Sequence, residues 1–373
     1  MFEERPSPVV ARAEAARKLP RTALLTLLIV FIIPGLITRD FWNSQELSSF
    51  AVALTMAQGS IIDWALPNID GSAFYAAGPL SAWLAAICIK LFGWLIGAES
   101  ASRLSVLLWF ALATSSIWYG TWYLARRGEA QPVVLAFGGQ ATPKDFGRVV
   151  ADGALLLFIA TFGLFIPLRE LAVDTALLAI FCAYFFSLAY SLHRPSLGPI
   201  LTGCVIAASV WTADFATSLA LLIIALLIHA RVHAFEPPFI VRASTVLLVC
   251  VGLFFVWPIF AVGVAIETVD AWFDGWWATQ LEMFSFMTQT QLQHAGRDFL
   301  WFLWPLWPFA CFALYAFRKQ LNRTHIKLPL FIFVGLFIST VLLDVSENRF
   351  LMTLTAPMCV LAAFGLMSVH RTW

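Results

Sequence analysis

The sequence predicts an all-α polytopic membrane protein, and three observations carry that prediction. Of its 373 residues, 61% are hydrophobic and only 12% are charged. A soluble domain needs about a quarter charged residues to cover its surface. The mean hydropathy is +0.83. The apolar residues also gather in several runs of about 17 or more, long enough for a helix to cross the hydrocarbon core. At this charge density, with such runs, the bilayer is the solvent.

Taken in order, the chain opens on a basic segment, 1–20, holding Arg12, Arg17 and Lys18, with Arg21 at the threshold of "TALLTLLIVFIIPGLIT". No small-residue cleavage site precedes the polar stretch that follows, so an uncleaved first helix with a cytoplasmic N-terminus is expected. Spans are expected near 21–38, 101–125, 150–168, 173–192, 197–214, 216–231, 243–266, 299–317, 328–344 and 350–368. The run 73–97 is long enough for another, but it carries Gly78, Pro79 and Lys90. Parity decides. Arg126, Arg127, Lys144 and Arg148 crowd one connection, and Arg318, Lys319, Arg323 and Lys327 another. All the basic connections fall on the cytoplasmic side only if 73–97 lies along the outer interface as a juxtamembrane or re-entrant helix. The result is a single membrane-embedded domain, 1–373, with about ten spans and both termini inside.

This threading places 39–100, 169–174, 214–215, 267–298 and 345–349 on the outer face. The knot at 39–46 holds Arg39, Asp40, Asn43, Ser44, Gln45 and Glu46. The other outer segments contribute Arg169, Glu170, Asp174, Asp214, Asp298, Glu347, Asn348 and Arg349. A charge inside the hydrocarbon costs roughly 2.5–3.5 kcal/mol on insertion scales. Charges at helix mouths cost less and can converge, although each taken singly also reads as an ordinary loop-end residue. The segment 267–298 mixes Trp272, Phe273, Trp276, Trp277, Phe284 and Phe286 with acids and amides. It is expected to be an amphipathic outer loop, either an aromatic belt or a lid over a lipid-facing cavity.

Other classes drop out. The net charge is +1 and no basic stripe with interleaved aromatics occurs, so no nucleic-acid partner is expected. The six cysteines are scattered and read as small packing residues. No CxxC or HExxH occurs, and the histidines form no ligand-spaced cluster. Gly138-Gly139 lies in a cytoplasmic linker, 128–149, and lacks the Lys-Ser/Thr of a phosphate loop.

Several short motifs share an order: "QELSSFAVALTMAQGSIIDWALP" (45–67), "GPLSAWLAAICIKLFG" (78–93), "SRLSVLL" (102–108), "YLARR" (123–127), "RELAVDTALL" (169–178) and "ENRFLMTLTAP" (347–357). This order resembles the membrane-embedded GT-C glycosyltransferases, in the group containing the protein mannosyltransferases and the lipid A aminoarabinose transferase. The resemblance covers most of the chain as a pattern. It implies two juxtamembrane helices after the first span, in agreement with the parity argument. It also implies transfer of a sugar from a polyprenyl-phosphate donor to an envelope lipid, glycan or protein acceptor, in a bacterial inner membrane. No C-terminal soluble domain of the kind some relatives carry is expected.

Such a transfer needs a carboxylate to take the acceptor proton and a cation beside the departing phosphate. The resemblance implies an acidic pair early in the first outer loop. Glu46 matches its second member, and Gln45 stands where the first acid is expected. Glu46 or Asp40 then serves as the base, or the base is absent. Asp174 matches a second acid that orients acceptor or sugar, and Arg349 a cation for the carrier phosphate. Arg103 matches an Arg-Leu pair, with helix capping an equal explanation. Asn348, Gln45 and Arg169 complete the candidate substrate contacts. Ala77 and Thr212-Ala213-Asp214 stand where the family carries lysines. No cofactor is required; a divalent metal is compatible with two acids on separate loops, and so is a metal-free site. Two other classes remain: a GT-C-like scaffold that binds a polyprenyl lipid or an enzyme without turnover, and a lipid-linked-sugar transporter. A transporter would line a path across the bilayer with ionisable residues, whereas an enzyme would gather carboxylates at the outer rim.

Overall fold

The computed structural model describes residues 7–9, 19–36, 40–133, 139–232, 238–343 and 345–369. Arg12, Arg17, Lys18, Arg39 and Gly138 lie outside the described residues, as does the side chain of Glu347.

The first expected span is α1 (Arg21–Ile32), extended by a 3-10 turn, Ile33–Gly35. The segment expected to be the first outer one follows as α2 (Ser44–Gln58), α3 (Ile61–Ala65), a two-stranded hairpin and α4 (Leu80–Ile96). Local chemistry starts each piece. Asn43 caps α2 by accepting the Glu46 N–H, and Ser60 and Asp63 form a capping box on α3. The hairpin pairs β1 (Asn68–Ile69) with β2 (Ser72–Ala73). Its turn places Asp70 and Gly71 at φ 50° and 83°, the left-handed pair that a two-residue hairpin turn needs. This hairpin is the one sheet among the described residues.

Then come α5 (Ala98–Ala125), α6 (Pro143–Ile159), α7 (Val173–Ser191), α8 (Leu197–Thr212), α9 (Phe215–Arg231), α10 (Phe239–Phe254) and α11 (Val256–Val264). The last five helices are α12 (Val269–Glu282), α13 (Gln289–Phe302), α14 (Leu306–Ala316), α15 (Thr324–Val341) and α16 (Glu347–Val369). Each expected span coincides with one helix or one consecutive pair. The chain is an integral membrane protein: five segments are long and apolar enough to cross a bilayer unaided, and up to seven if two bent pairs count as spans. Those pairs are the spans expected at 150–168 and 299–317, and both are bent. The first bends by 64° after α6 and the second by 86° between α13 and α14. In the second, Pro305 supplies no N–H to the helix ladder and crowds the preceding turn, which accounts for the break. The ranges 21–35, 80–96, 197–212 and 215–231 form shorter apolar helices.

The segment 267–298 is not a loop but α12 and the first part of α13. A capping box between Thr288 and Gln291 restarts the helix after the polar break, a signal that compositional reading passed over.

The core runs along α7 and α16, whose apolar windows are 83% and 89% buried, whereas the α10–α11 window is 22% buried and faces outward. Helix α5 packs on α7, and α14 packs on α16. A second cluster joins α2, α4 and α5 through Val52, Met56, Ala85, Ile89 and Val106. A third joins α3, α11 and α12 through Trp257, Trp272 and Trp276. The first outer segment is thus packed onto the bundle from two sides.

Candidate functional site

The site begins where α2 meets the turn before α7. Glu46 is fully buried, and its Oε1 accepts the Leu171 N–H at 3.2 Å. Asn43 uses both ends of its amide. Oδ1 accepts the Glu46 N–H at 2.7 Å, while Nδ2 donates to Glu170 Oε1 at 3.0 Å. Two hydrogen bonds therefore stitch the start of α2 to residues 170–171, more than a hundred positions away in sequence.

The second component is a buried ion triad. Arg349 Nε donates to Asp174 Oδ1 at 2.9 Å, and Nη1 donates to Asp214 Oδ2 at 3.1 Å. Asp174 lies in the first turn of α7 and Asp214 caps α9 through the Thr217 N–H, so both carboxylates sit at the positive end of a helix dipole. Arg349 lies in the first turn of α16, where a cation is disfavoured, and the two acids offset that cost. The triad joins three helices that are remote in sequence.

Between these components lies a narrow cleft walled by α2, α4, α5 and residues 170–173. Ser49, Ala77, Ser81, Val106, Trp109 and Glu170 line it. Gly78, at its edge, approaches the Trp211 carbonyl so closely that a side chain would collide with it. That approach brings the cleft beside the 211–214 turn that carries Asp214. Arg103 lies one turn from Val106 on α5, buried, with its guanidinium 4.5 Å from the Phe41 ring centre.

Helices α11 and α12 close one side of the segment that holds α2 to α4. Trp257 Nε1 donates to the Ala65 carbonyl at 2.8 Å, and Trp272 Nε1 to the Pro67 carbonyl at 3.1 Å. Gln280 accepts the Phe215 N–H at 2.7 Å, next to Asp214. Trp272 and Trp276 are buried in this seam, while Trp277, Phe284 and Phe286 are exposed.

Of the residues singled out from sequence, the fold brings Asp174 and Arg349 into contact and places Glu46 beside the same turn. Asp40, Gln45 and Asn348 are exposed. Arg169 points back to α1: Nη2 donates to the Phe31 carbonyl, and its guanidinium lies over the Phe31 and Phe165 rings at 4.5 and 3.9 Å. The Arg349 expected beside a carrier phosphate is held by two carboxylates, because burial requires its charge to be paired. The sequence-based set lacks Asp214, Glu170 and Asn43. The first two stand among the outer acids, and Asn43 is a recognisable N-cap, but nothing along the chain says that they meet. Among the described residues no three His, Cys, Asp or Glu side chains converge as metal ligands. Asp174 and Asp214 are engaged with Arg349, so this donor set does not fit a metal.

No family model matches the chain, and no curated protein matches it. Solved structures do. ArnT from Cupriavidus metallidurans bound to undecaprenyl phosphate aligns with a TM-score of 0.60 at 16% identity, covering 93% of this chain. The apo form of that ArnT aligns at 0.62 and 14%, covering 92%. The chain shares the fold of this ArnT. It spans 60% of the ArnT chain's length. Archaeal oligosaccharyltransferase AglB from Archaeoglobus fulgidus, in complex with an inhibitory peptide and a dolichol-phosphate, aligns at 0.43 and 14%. Helices α2 to α4 follow α1, and the stitched turn lies where α2 meets the residues before α7.

Proposed function

We propose that the protein is a glycosyltransferase that moves a sugar from a polyprenyl-phosphate-linked donor to an envelope lipid, glycan or protein. The reaction takes place at the outer face of the cell membrane, with both termini cytoplasmic. One observation carries this reading: in a GT-C fold, Glu170 lines a cleft that ends at Val173, next to the Asp174–Arg349–Asp214 triad, although these four residues come from three separate stretches of chain. Carboxylates gathered at a rim suit proton transfer and hydroxyl positioning; they do not line a path across the bilayer. ArnT, captured with undecaprenyl phosphate, supports a polyprenyl-phosphate partner.

In this reading, the acceptor hydroxyl enters the cleft and attacks the anomeric carbon as the bond to the carrier phosphate breaks. Asp174 orients sugar or acceptor hydroxyls from the first turn of α7. Arg349 meets the phosphate by exchanging one of its two carboxylates, and Arg103 adds positive charge from α5. Glu46 acts through structure, holding the turn at 170–171.

A second reading, a lipid-binding scaffold without turnover, is favoured by Gln45 in place of an acid, by Ala77 in the cleft wall and by the neutralised Arg349. Mass spectrometry of envelope glycolipids and glycans from a deletion strain decides between the two. A sugar modification that vanishes on deletion and returns with wild type, but not with Asp174→Asn at equal abundance, supports the transferase. An unchanged glycan profile on deletion refutes it.

A further inference from the structure

We propose that Glu170 is the general base of the transfer, in place of the acids of the first outer loop; this rests on the transferase reading above. Three observations place it there. Glu170 is the only ionisable side chain lining the cleft among the described residues. Glu46 does not line the cleft: it is fully buried, and an oxygen of its carboxylate accepts the Leu171 N–H. Asp40 is exposed and does not line the cleft either.

The hydrogen bonds explain why Glu170 can serve. Asn43 commits its amide oxygen to the α2 N-terminus, which turns its Nδ2 toward Glu170 Oε1. The Asn43 amide thereby helps to orient the carboxylate. Apolar walls from Val52, Ala82 and Val106 exclude bulk water around it. Its neighbour Arg169 directs its guanidinium away, against Phe31 and Phe165. Asp174, four residues on, is tied to Arg349, so the two acids divide the work between proton transfer and positioning.

The step balances. The acceptor oxygen forms a bond to the anomeric carbon, and the anomeric carbon–phosphate oxygen bond breaks. The electron pair of that bond leaves with polyprenyl phosphate. The hydroxyl proton passes to a Glu170 oxygen and is released to water when the product departs.

The test uses the full chain in the deletion strain, reading the rate at which the modified glycolipid or glycan appears after induction of wild type, Glu170→Gln, Glu170→Asp and Glu46→Gln. General-base removal costs about 10²–10⁴-fold, so Glu170→Gln is expected to lower the rate at least a hundredfold. Its membrane abundance and its binding of undecaprenyl phosphate in nanodiscs should stay within twofold of wild type, which a merely structural role would not permit. Glu170→Asp keeps the charge and the acceptor for Asn43 but withdraws the carboxylate by one methylene. It should fold and still lose at least tenfold. Glu46→Gln, which keeps an acceptor for Leu171, should stay within about threefold. A rate for either Glu170 variant within threefold of wild type overturns the assignment and leaves the transferase standing. A hundredfold loss in Glu46→Gln at full abundance also overturns it. If wild type restores no modification, both readings fall together.

Discussion

Replacing Arg349 by Met tests the ion triad most directly, because it leaves Asp174 and Asp214 facing one another without their cation. Asp214 is 3% exposed and Asp174 11%, so water cannot take the place of the guanidinium. Breaking a buried pair by removing one partner costs about 3–5 kcal/mol. With an unfolding entropy of about 2.1 cal/mol/K per residue, a 373-residue chain loses roughly 4–6 °C of melting temperature for that cost. The assay is thermal unfolding of the detergent-purified protein. The companion variant carries Arg349→Met, Asp174→Asn and Asp214→Asn together. It removes every charge, and Asn retains the cap on α9 that Asp214 provides. Since a whole buried ion cluster contributes little net stability, the triple variant should recover most of the loss. Two results would refute the reasoning: a single variant melting within about 1 °C of wild type, or a triple variant no better than the single.

Other expectations follow from the same geometry. Glu46→Ala leaves the Leu171 N–H buried without its acceptor; the cost is about 1–3 kcal/mol, and hydrogen exchange of residues 168–175 should accelerate, while Glu46→Gln should not show this. Trp272→Phe removes the donor to the Pro67 carbonyl across the seam between α12 and the first outer segment. Faster exchange in 65–68 and 269–282, with α7 unaffected, is the expected signature. At the other end of the bundle, burial pushes the Glu129 carboxyl up, but hydrogen bonds from Arg127 and from the Thr324 backbone outweigh it and hold it below its ordinary 4.5. A depressed folded value means the stabilisation is complete above the unfolded value and is lost as pH falls through the folded one. Melting temperature should therefore drop on acidification below pH 4.5. Glu129→Gln should flatten that drop, and an unchanged slope would remove Glu129 as its cause.

Much of the fold was legible along the chain because burial in a bilayer is a local, additive property. Each apolar run announces its own helix. Asn43, Ser60, Thr142, Asp214 and Thr288 announce where helices start, because an N-cap works through bonds only two or three residues away. Pro167, Pro305 and Pro308 mark where the chain can bend, but not the size of the bends, 64° and 86°, since prolines in membrane helices are often accommodated without a sharp bend. The segment 267–298 reads as a loop along the chain because its aromatic and acidic mixture hides two helices, α13 with a capping box and α12 held by an indole bond from Trp272 to Pro67.

The sequence by itself determined the solvent, the helical class, the position of most helices and the acids from which the candidate site is drawn. Only the tertiary structure decided which acids meet which partners. Glu46 was the motif's choice, yet it turns into the protein and holds Leu171, while Glu170 takes the cleft wall. Arg349 carried the expected charge, but two carboxylates from α7 and α9 claim it. The physical reason is the same in each case. Hydropathy adds up residue by residue, so a linear reading captures it. The partner of a side chain depends on the rotation and approach of helices a hundred or more residues apart, and that is fixed only when the whole bundle packs.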